Sequence, residues 1–134
     1  MLISLSVIYC GFQARCLRRA CRILPSYVSR VSNVSVLKSA EHVKASTLLL
    51  RRQLVLFGKI LRSPADEPIR AVSLVGNTLL PATSRYVRRV GRPRREWIPS
   101  VLTEAYRICG GSSRLDQLAM NPYHWKAHVR RTVS

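Results

Sequence analysis

Hydrophobic residues along this chain recur at intervals of three and four positions, the spacing that is typical of amphipathic helices. The longest such run spans residues 47–62 (TLLLRRQLVLFGKILR), with Ser46 as the expected N-cap. Its apolar stripe consists of Leu50, Leu54, Phe57 and Leu61, widened by Leu49, Leu56 and Ile60. A glycine inside a helix costs about 1 kcal/mol relative to alanine. Gly58 therefore predicts that a neighbouring helix approaches closely at this point.

Shorter periodic segments lie on both sides of this run. The segments before it predict a basic helix at residues 13–24 and a short helix that follows a cap at Ser32 or Asn33 and continues through Ala40. The segments after it predict helices at about 66–74, 96–109, 114–119 and 123–131.

Start and stop signals set the bounds of the C-terminal helices. Asp66 is the expected N-cap of the first of them, and Gly110 is the expected end of the second. Ser112 or Ser113 is expected to cap the third, and Asn121 followed by Pro122 opens the fourth. In this last helix, Trp125, His128 and Val129 are expected to face inward.

The resulting fold class is all-α, because no alternating strand pattern persists along the chain. We expect a small irregular bundle of five to seven short helices with an extended Arg-rich loop. The predicted organisation is an apolar N-terminal segment at 1–12, a helical subdomain at 13–74, a loop and basic segment at 75–95, and a C-terminal helical segment at 96–134. No segment is long and apolar enough to predict a transmembrane helix.

The charge balance points to an anionic partner. The 134 residues carry 23 lysines and arginines against 6 aspartates and glutamates, a formal net charge of +17. A surface charged this strongly repels itself, so binding of a polyanion is expected to relieve the repulsion. Nucleic acid is the first candidate, anionic lipid the second and an acidic protein the third.

The same composition argues against catalysis, metals and cofactors. The acidic residues are too few and too scattered to predict a cluster that holds Mg²⁺. No phosphate-binding glycine loop, zinc-protease motif or nucleophile elbow occurs in the sequence. The four cysteines contain no CxxC spacing, so reduced thiols are expected rather than a metal site or a disulfide framework.

The strongest single feature is the Arg-rich loop, residues 85–95 (RYVRRVGRPRR). Gly91 and Pro93 interrupt any helix there and favour an extended segment. Its candidate nucleic-acid-binding residues are Arg85, Arg88, Arg89, Gly91, Arg92, Arg94 and Arg95. A second basic surface is predicted from Arg18, Arg19, Arg51 and Arg52.

Aromatic side chains flank the Arg-rich loop and suggest a second kind of contact. Tyr86 and Trp97 are candidates for stacking on unpaired bases. Trp97 also suits a core position, since it opens an amphipathic helix. The Gly91–Pro93 segment resembles an AT-hook, in which an arginine enters the minor groove, although Val90 stands where that motif has its leading arginine. Groove insertion, general phosphate binding and a solvated loop all remain open at this point.

Five segments in order resemble the region downstream of the polymerase core in reverse transcriptases of non-LTR (LINE-like) retrotransposons. The matching positions are Leu17–Leu24, Ser32–Ala40, Leu54–Arg62, Asp66–Arg70 and Gly91–Trp97. The resemblance extends from about Phe12 to Trp125. It implies a non-catalytic piece of an RNA-directed DNA polymerase, because the Tyr-x-Asp-Asp metal site of that family lies upstream of this region.

That resemblance also implies partners and a location. The region is expected to contact template RNA or target DNA through its arginines, beside the upstream polymerase core of the same polyprotein, in the nucleus. Two other interpretations stay open. One is a structural subunit of an organellar ribonucleoprotein, such as a mitochondrial ribosomal protein, whose acid-free first 30 or so residues are a cleaved presequence. The other is a peripheral subunit of a membrane complex.

Overall fold

The computed structural model describes residues 3–82, 91 and 96–133, with side chains described from Cys10 onwards. Within these residues, the chain forms eight helices: α1 Ile3–Ala20, α2 Ser26–Ser29, α3 Asn33–Ser39, α4 Ala45–Arg62, α5 Pro68–Ser73, α6 Trp97–Cys109, α7 Ser112–Met120 and α8 Pro122–Thr132. Among the described residues, the only sheet-like pairing is an isolated antiparallel bridge between Leu74 and Pro81. The all-α prediction is confirmed. The count is eight rather than five to seven because α2 is a single turn, too short to show a periodicity.

The first helix differs most from its prediction. It begins at Ile3 rather than Gln13, so most of the predicted N-terminal segment is part of α1. No proline interrupts these residues. The helix also ends at Ala20, earlier than expected, because Arg22 adopts the left-handed conformation (φ 55°). The Ile23 amide then donates to the Arg18 carbonyl at 2.8 Å, which closes the helix before Pro25 is reached.

Helix α4 ends at Arg62 as predicted but begins two residues early. Ser46 lies inside the helix and is not its cap. The Ala45 amide instead donates to the Gln13 Oε1 atom at 2.8 Å. This contact joins residues far apart in the chain, so no local signal in the sequence could show it. Along the helix, the buried residues are Leu54, Phe57, Gly58, Ile60 and Leu61, whereas Leu49 and Leu56 are exposed.

Most of the other helix ends match their sequence signals. Ser32 caps α3 by accepting from the Ser35 amide, and Gly110 ends α6 in the left-handed conformation (φ 76°). Asn121 caps α8 by accepting from the amides of the first turn. Two caps are displaced by one residue: Glu67 rather than Asp66 precedes α5, and Gly111 rather than a serine precedes α7.

The chain divides into two compact units, Met1–Leu50 and Arg51–Ser134. In the first unit, α1 packs on α3, and Ala14 and Val36 are fully buried. In the second unit, α7 packs against both α6 and α8. The largest fully buried side chain of the second unit is Trp125, which is 1% exposed.

Polar contacts join α8 and the residue after it to the part of α4 that lies in the second unit. The Trp125 indole Nε1 donates to the Leu54 carbonyl at 2.7 Å. Toward the start of α4, Arg51 Nε donates to the Val133 carbonyl at 2.7 Å. Trp125 and Val129 of α8 are buried, and the half-buried His128 ring contacts the Ile108 carbonyl at 3.1 Å. The inward orientation predicted for α8 is therefore confirmed.

The close approach predicted at Gly58 is also confirmed. A Cβ atom on Gly58 would lie 2.3 Å from both Cδ1 and Nε1 of the Trp125 ring. The ring is buried and rigid, and its Nε1 is held by the Leu54 carbonyl. The glycine thus provides the space that the indole occupies beside α4.

We expect Gly58→Ala to destabilise the protein by about 2 kcal/mol, because displacement of the indole outweighs the gain in helix propensity. Chemical denaturation measures the change. Gly11→Ala is the matched control: Gly11 is also helical, and nothing lies within 4 Å of its added Cβ atom. That variant should be neutral or slightly more stable. An equal gain in both variants would contradict the packing described at Gly58.

Candidate nucleic-acid interface

Of the predicted Arg-rich loop, only Gly91 belongs to the described residues. It is exposed, with φ at 145°, a conformation that favours glycine. The predicted contacts at Arg85, Tyr86, Arg88, Arg89, Arg92, Arg94 and Arg95 lie outside the described residues. Trp97 is the first residue of α6 and is half-buried. Its stacking role stays a prediction.

The predicted second basic surface needs a correction at Arg18. This side chain is only 6% exposed. Its guanidinium donates to the carbonyls of Leu24, at 2.9 Å, and Val31, and to the side chains of Ser29 and Asn33. Arg18 therefore joins the end of α1 to the segment that leads into α3. It is not available to a phosphate.

Arg51 is also engaged within the protein. It is half-buried, and its Nε and Nη2 atoms donate to the carbonyls of Val133 and Arg130, at 2.7 and 3.4 Å. Arg19 in the first unit and Arg52 in the second are exposed, and neither makes a side-chain hydrogen bond or ion pair within the described part of the chain. Of the four predicted residues, these two keep a free guanidinium group.

Binding of backbone carbonyls near helix ends is a recurrent role of arginine in this protein, and the sequence did not predict it. Arg62 donates to the Ala119 carbonyl in the last turn of α7, at 2.6 Å. The buried Arg70 donates to the carbonyls of Ile60, Leu61 and Ser63 at the end of α4, and to Gly76. Carbonyls at a helix C-terminus lack helical partners and carry partial negative charge, so a guanidinium group stabilises them.

Acidic side chains neutralise few of the remaining cations. Where both partners belong to residues 10–82 or 96–133, the ion pair between side chains joins Arg107 Nε to Glu104 Oε2 at 2.8 Å. Exposed basic residues without such a pair include Arg15, Arg19, Arg22, Arg30, Arg52, Lys59, Lys126, Arg130 and Arg131. The described surface is therefore strongly cationic even though several arginines are used inside the fold.

One exposed basic face, here called the α8 face, was not predicted. It consists of Tyr123, Lys126, Ala127, Arg130 and Arg131, which lie together on a part of the surface that is open to solvent. These positions recur at intervals of three and four residues, so they share one side of the helix. The sequence signal was present in this spacing of cations, on the side opposite the buried Trp125 and Val129.

The described residues offer no support for a metal centre or a membrane span. No group of three or more histidine, cysteine or acidic side chains is placed to hold a metal ion in the part of the chain that the structure describes. The cysteines are free thiols. Burial raises the pKa of the Cys109 thiol, while Arg114 nearby lowers it to a smaller extent. None of the helices described is long and apolar enough to cross a membrane.

The chain matches no protein-family model, no curated protein and no solved structure.

Proposed function

We propose that this protein binds nucleic acid without catalysis, as the resemblance to the region downstream of the polymerase core in LINE-like reverse transcriptases suggests. One observation carries the proposal. After the fold has used Arg18, Arg51, Arg62 and Arg70 to hold carbonyls, its surface still carries many cations that no carboxylate neutralises. The sequence of the Arg-rich loop contains six further arginines.

The mechanism is electrostatic. Each phosphate that an arginine neutralises releases condensed counterions, which makes the affinity fall steeply with salt. Phosphate contacts carry no sequence information, so the binding is expected to be weakly sequence-specific. In this proposal the partner is template RNA or target DNA, and an upstream polymerase core in the nucleus supplies the chemistry.

The contacts of α1 favour this proposal over an organellar protein with a cleaved presequence. Gln13 accepts from the Ala45 amide at 2.8 Å and donates to the Val43 carbonyl at 2.9 Å. Ala14 is fully buried, and α1 packs on α3. Removal of the first 30 residues would take away one side of the first unit. A segment that is cut off after import does not need such contacts.

The proposal is tested by the salt dependence of affinity for a DNA or RNA duplex. We expect the variant with Arg92, Arg94 and Arg95 replaced by alanine to bind more weakly than the wild type. The slope of log K against log salt should become shallower by about 2 to 3, because each phosphate that is no longer neutralised reduces it by about 0.9.

A second triple variant separates the loop from overall charge. Arg30, Lys38 and Lys44 are exposed cations of the first unit, and their replacement by alanine changes the net charge equally. In this control variant, the slope of log K against log salt should differ much less from that of the wild type. Equal slopes for all three proteins would remove the Arg-rich loop from the mechanism, and no measurable binding by the wild type at low salt would reject the proposed function.

A further inference from the structure

We infer that the α8 face is a binding site for single-stranded nucleic acid, separate from the Arg-rich loop. This inference rests on the proposed function and adds a site and a substrate class to it. Neither the motifs of the sequence nor its resemblance to a family assigns any role to Tyr123, Lys126, Arg130 or Arg131.

Three cations lie close together on the α8 face. Lys126 and Arg130 lie one helical turn apart, about 6 Å along the axis, and Arg131 follows directly. All three are exposed, and none has an ion-pair partner within the structure as described. The surface between their side chains is open to solvent. A run of phosphates complements this arrangement.

An exposed aromatic ring lies on the same face. Tyr123 is 83% exposed, in the first turn of α8 and on the same side of the helix as Lys126 and Arg130. Its phenol ring is available for stacking. A base in a duplex already stacks on its neighbours, whereas an unpaired base has a free face, so a ring beside cations favours a single strand.

An anionic membrane is the alternative occupant of the α8 face. Membrane binding by a surface helix needs an apolar face that enters the lipid. The apolar side of α8 is already buried, with Trp125 at 1% and Val129 at 0% exposure. The exposed side offers cations, one tyrosine and one alanine, which suits a polyanion with bases better than a lipid surface.

The decisive experiment compares single-stranded and double-stranded DNA of equal length with the full chain. We expect Tyr123→Ala to weaken single-strand binding about fivefold to tenfold and to leave duplex binding nearly unchanged. Tyr123→Phe should restore the affinity, because the ring and not the hydroxyl group stacks. Tyr27→Ala is the matched control, since Tyr27 is 79% exposed but lies in the first unit; it should bind as the wild type does.

A charge variant tests the same face independently. With Lys126, Arg130 and Arg131 replaced by glutamine, the salt slope for a single strand should become shallower by about 2, since each phosphate that loses its cation accounts for about 0.7. The Arg130 carbonyl that accepts from Arg51 is retained in this variant. Far-ultraviolet circular dichroism should show an unchanged helix content.

Three outcomes would overturn the inference. If the wild type binds duplexes, and the variants of the α8 face bind single strands as tightly as the wild type binds them, the face is not a binding site. The proposed function survives in that case. If the wild type binds vesicles of anionic lipid and only that binding falls in the glutamine variant, the occupant is a membrane. If the wild type binds no nucleic acid, the inference and the proposed function both fail.

Discussion

Replacement of Trp125 by alanine should lower the free energy of unfolding by about 4 kcal/mol, the range for removal of a large buried aromatic side chain. The indole fills the centre of the second unit, is 1% exposed and packs against the space left by Gly58. Its loss leaves a cavity and removes the donor from the Leu54 carbonyl. Because a domain is stable by only about 5 to 15 kcal/mol, this variant is expected to be partly unfolded at modest denaturant concentrations.

Trp125→Phe separates the two contributions. Phenylalanine keeps most of the buried apolar surface but cannot donate to the Leu54 carbonyl, so a smaller loss of about 2 kcal/mol is expected. Equilibrium denaturation followed by circular dichroism measures both variants on one scale. Stability within 1 kcal/mol of the wild type for Trp125→Ala would contradict the placement of this residue at the centre of the core.

Replacement of Arg70 by methionine should cost about 3 kcal/mol, because several carbonyls each lose a charged donor at once. The side chain is 6% exposed, and its guanidinium group contacts the carbonyls of Ile60, Leu61 and Ser63 where α4 ends. Methionine occupies much of the volume of the arginine stem and brings no donor. The expected loss is therefore a loss of hydrogen bonds rather than of packing.

Arg70→Lys is the informative companion to this variant. Lysine keeps the positive charge but lacks the planar guanidinium fork, so it cannot reach all the carbonyls together, and an intermediate loss is expected. Arg52→Met serves as the surface control, since Arg52 is exposed on α4 and makes no hydrogen bond within the described chain. If Arg70→Met and Arg52→Met were equally stable, the role of Arg70 at the end of α4 would be disproved.

Much of the fold could be predicted from local patterns. The stripe of α4, the serine cap of α3, the asparagine cap of α8 and the glycine end of α6 each depend on residues within a few positions of one another. Local chemistry of this kind is readable in a sequence. The helix contact at Gly58 was also predictable, because a glycine in a helix has a cost that a packing contact can offset.

The features that could not be predicted depend on residues distant in sequence. The Gln13 side chain caps α4 across 32 positions, so the start of that helix was misplaced. Arg18 and Arg19 are adjacent and chemically identical, yet one is buried and the other exposed. A sequence shows how many arginines a chain has, but the tertiary contacts decide which of them bind carbonyls and which face solvent.

The arginines that bind carbonyls bear on how the protein should be purified. Most of their hydrogen bonds are buried or partly buried, so dissolved ions screen them less than they screen contacts on the open surface. If nucleic acid adheres to the exposed cations, as proposed above, concentrated sodium chloride should displace it while a heparin or phosphocellulose column retains or releases the basic protein according to the salt. The helices should stay folded in the same salt solution.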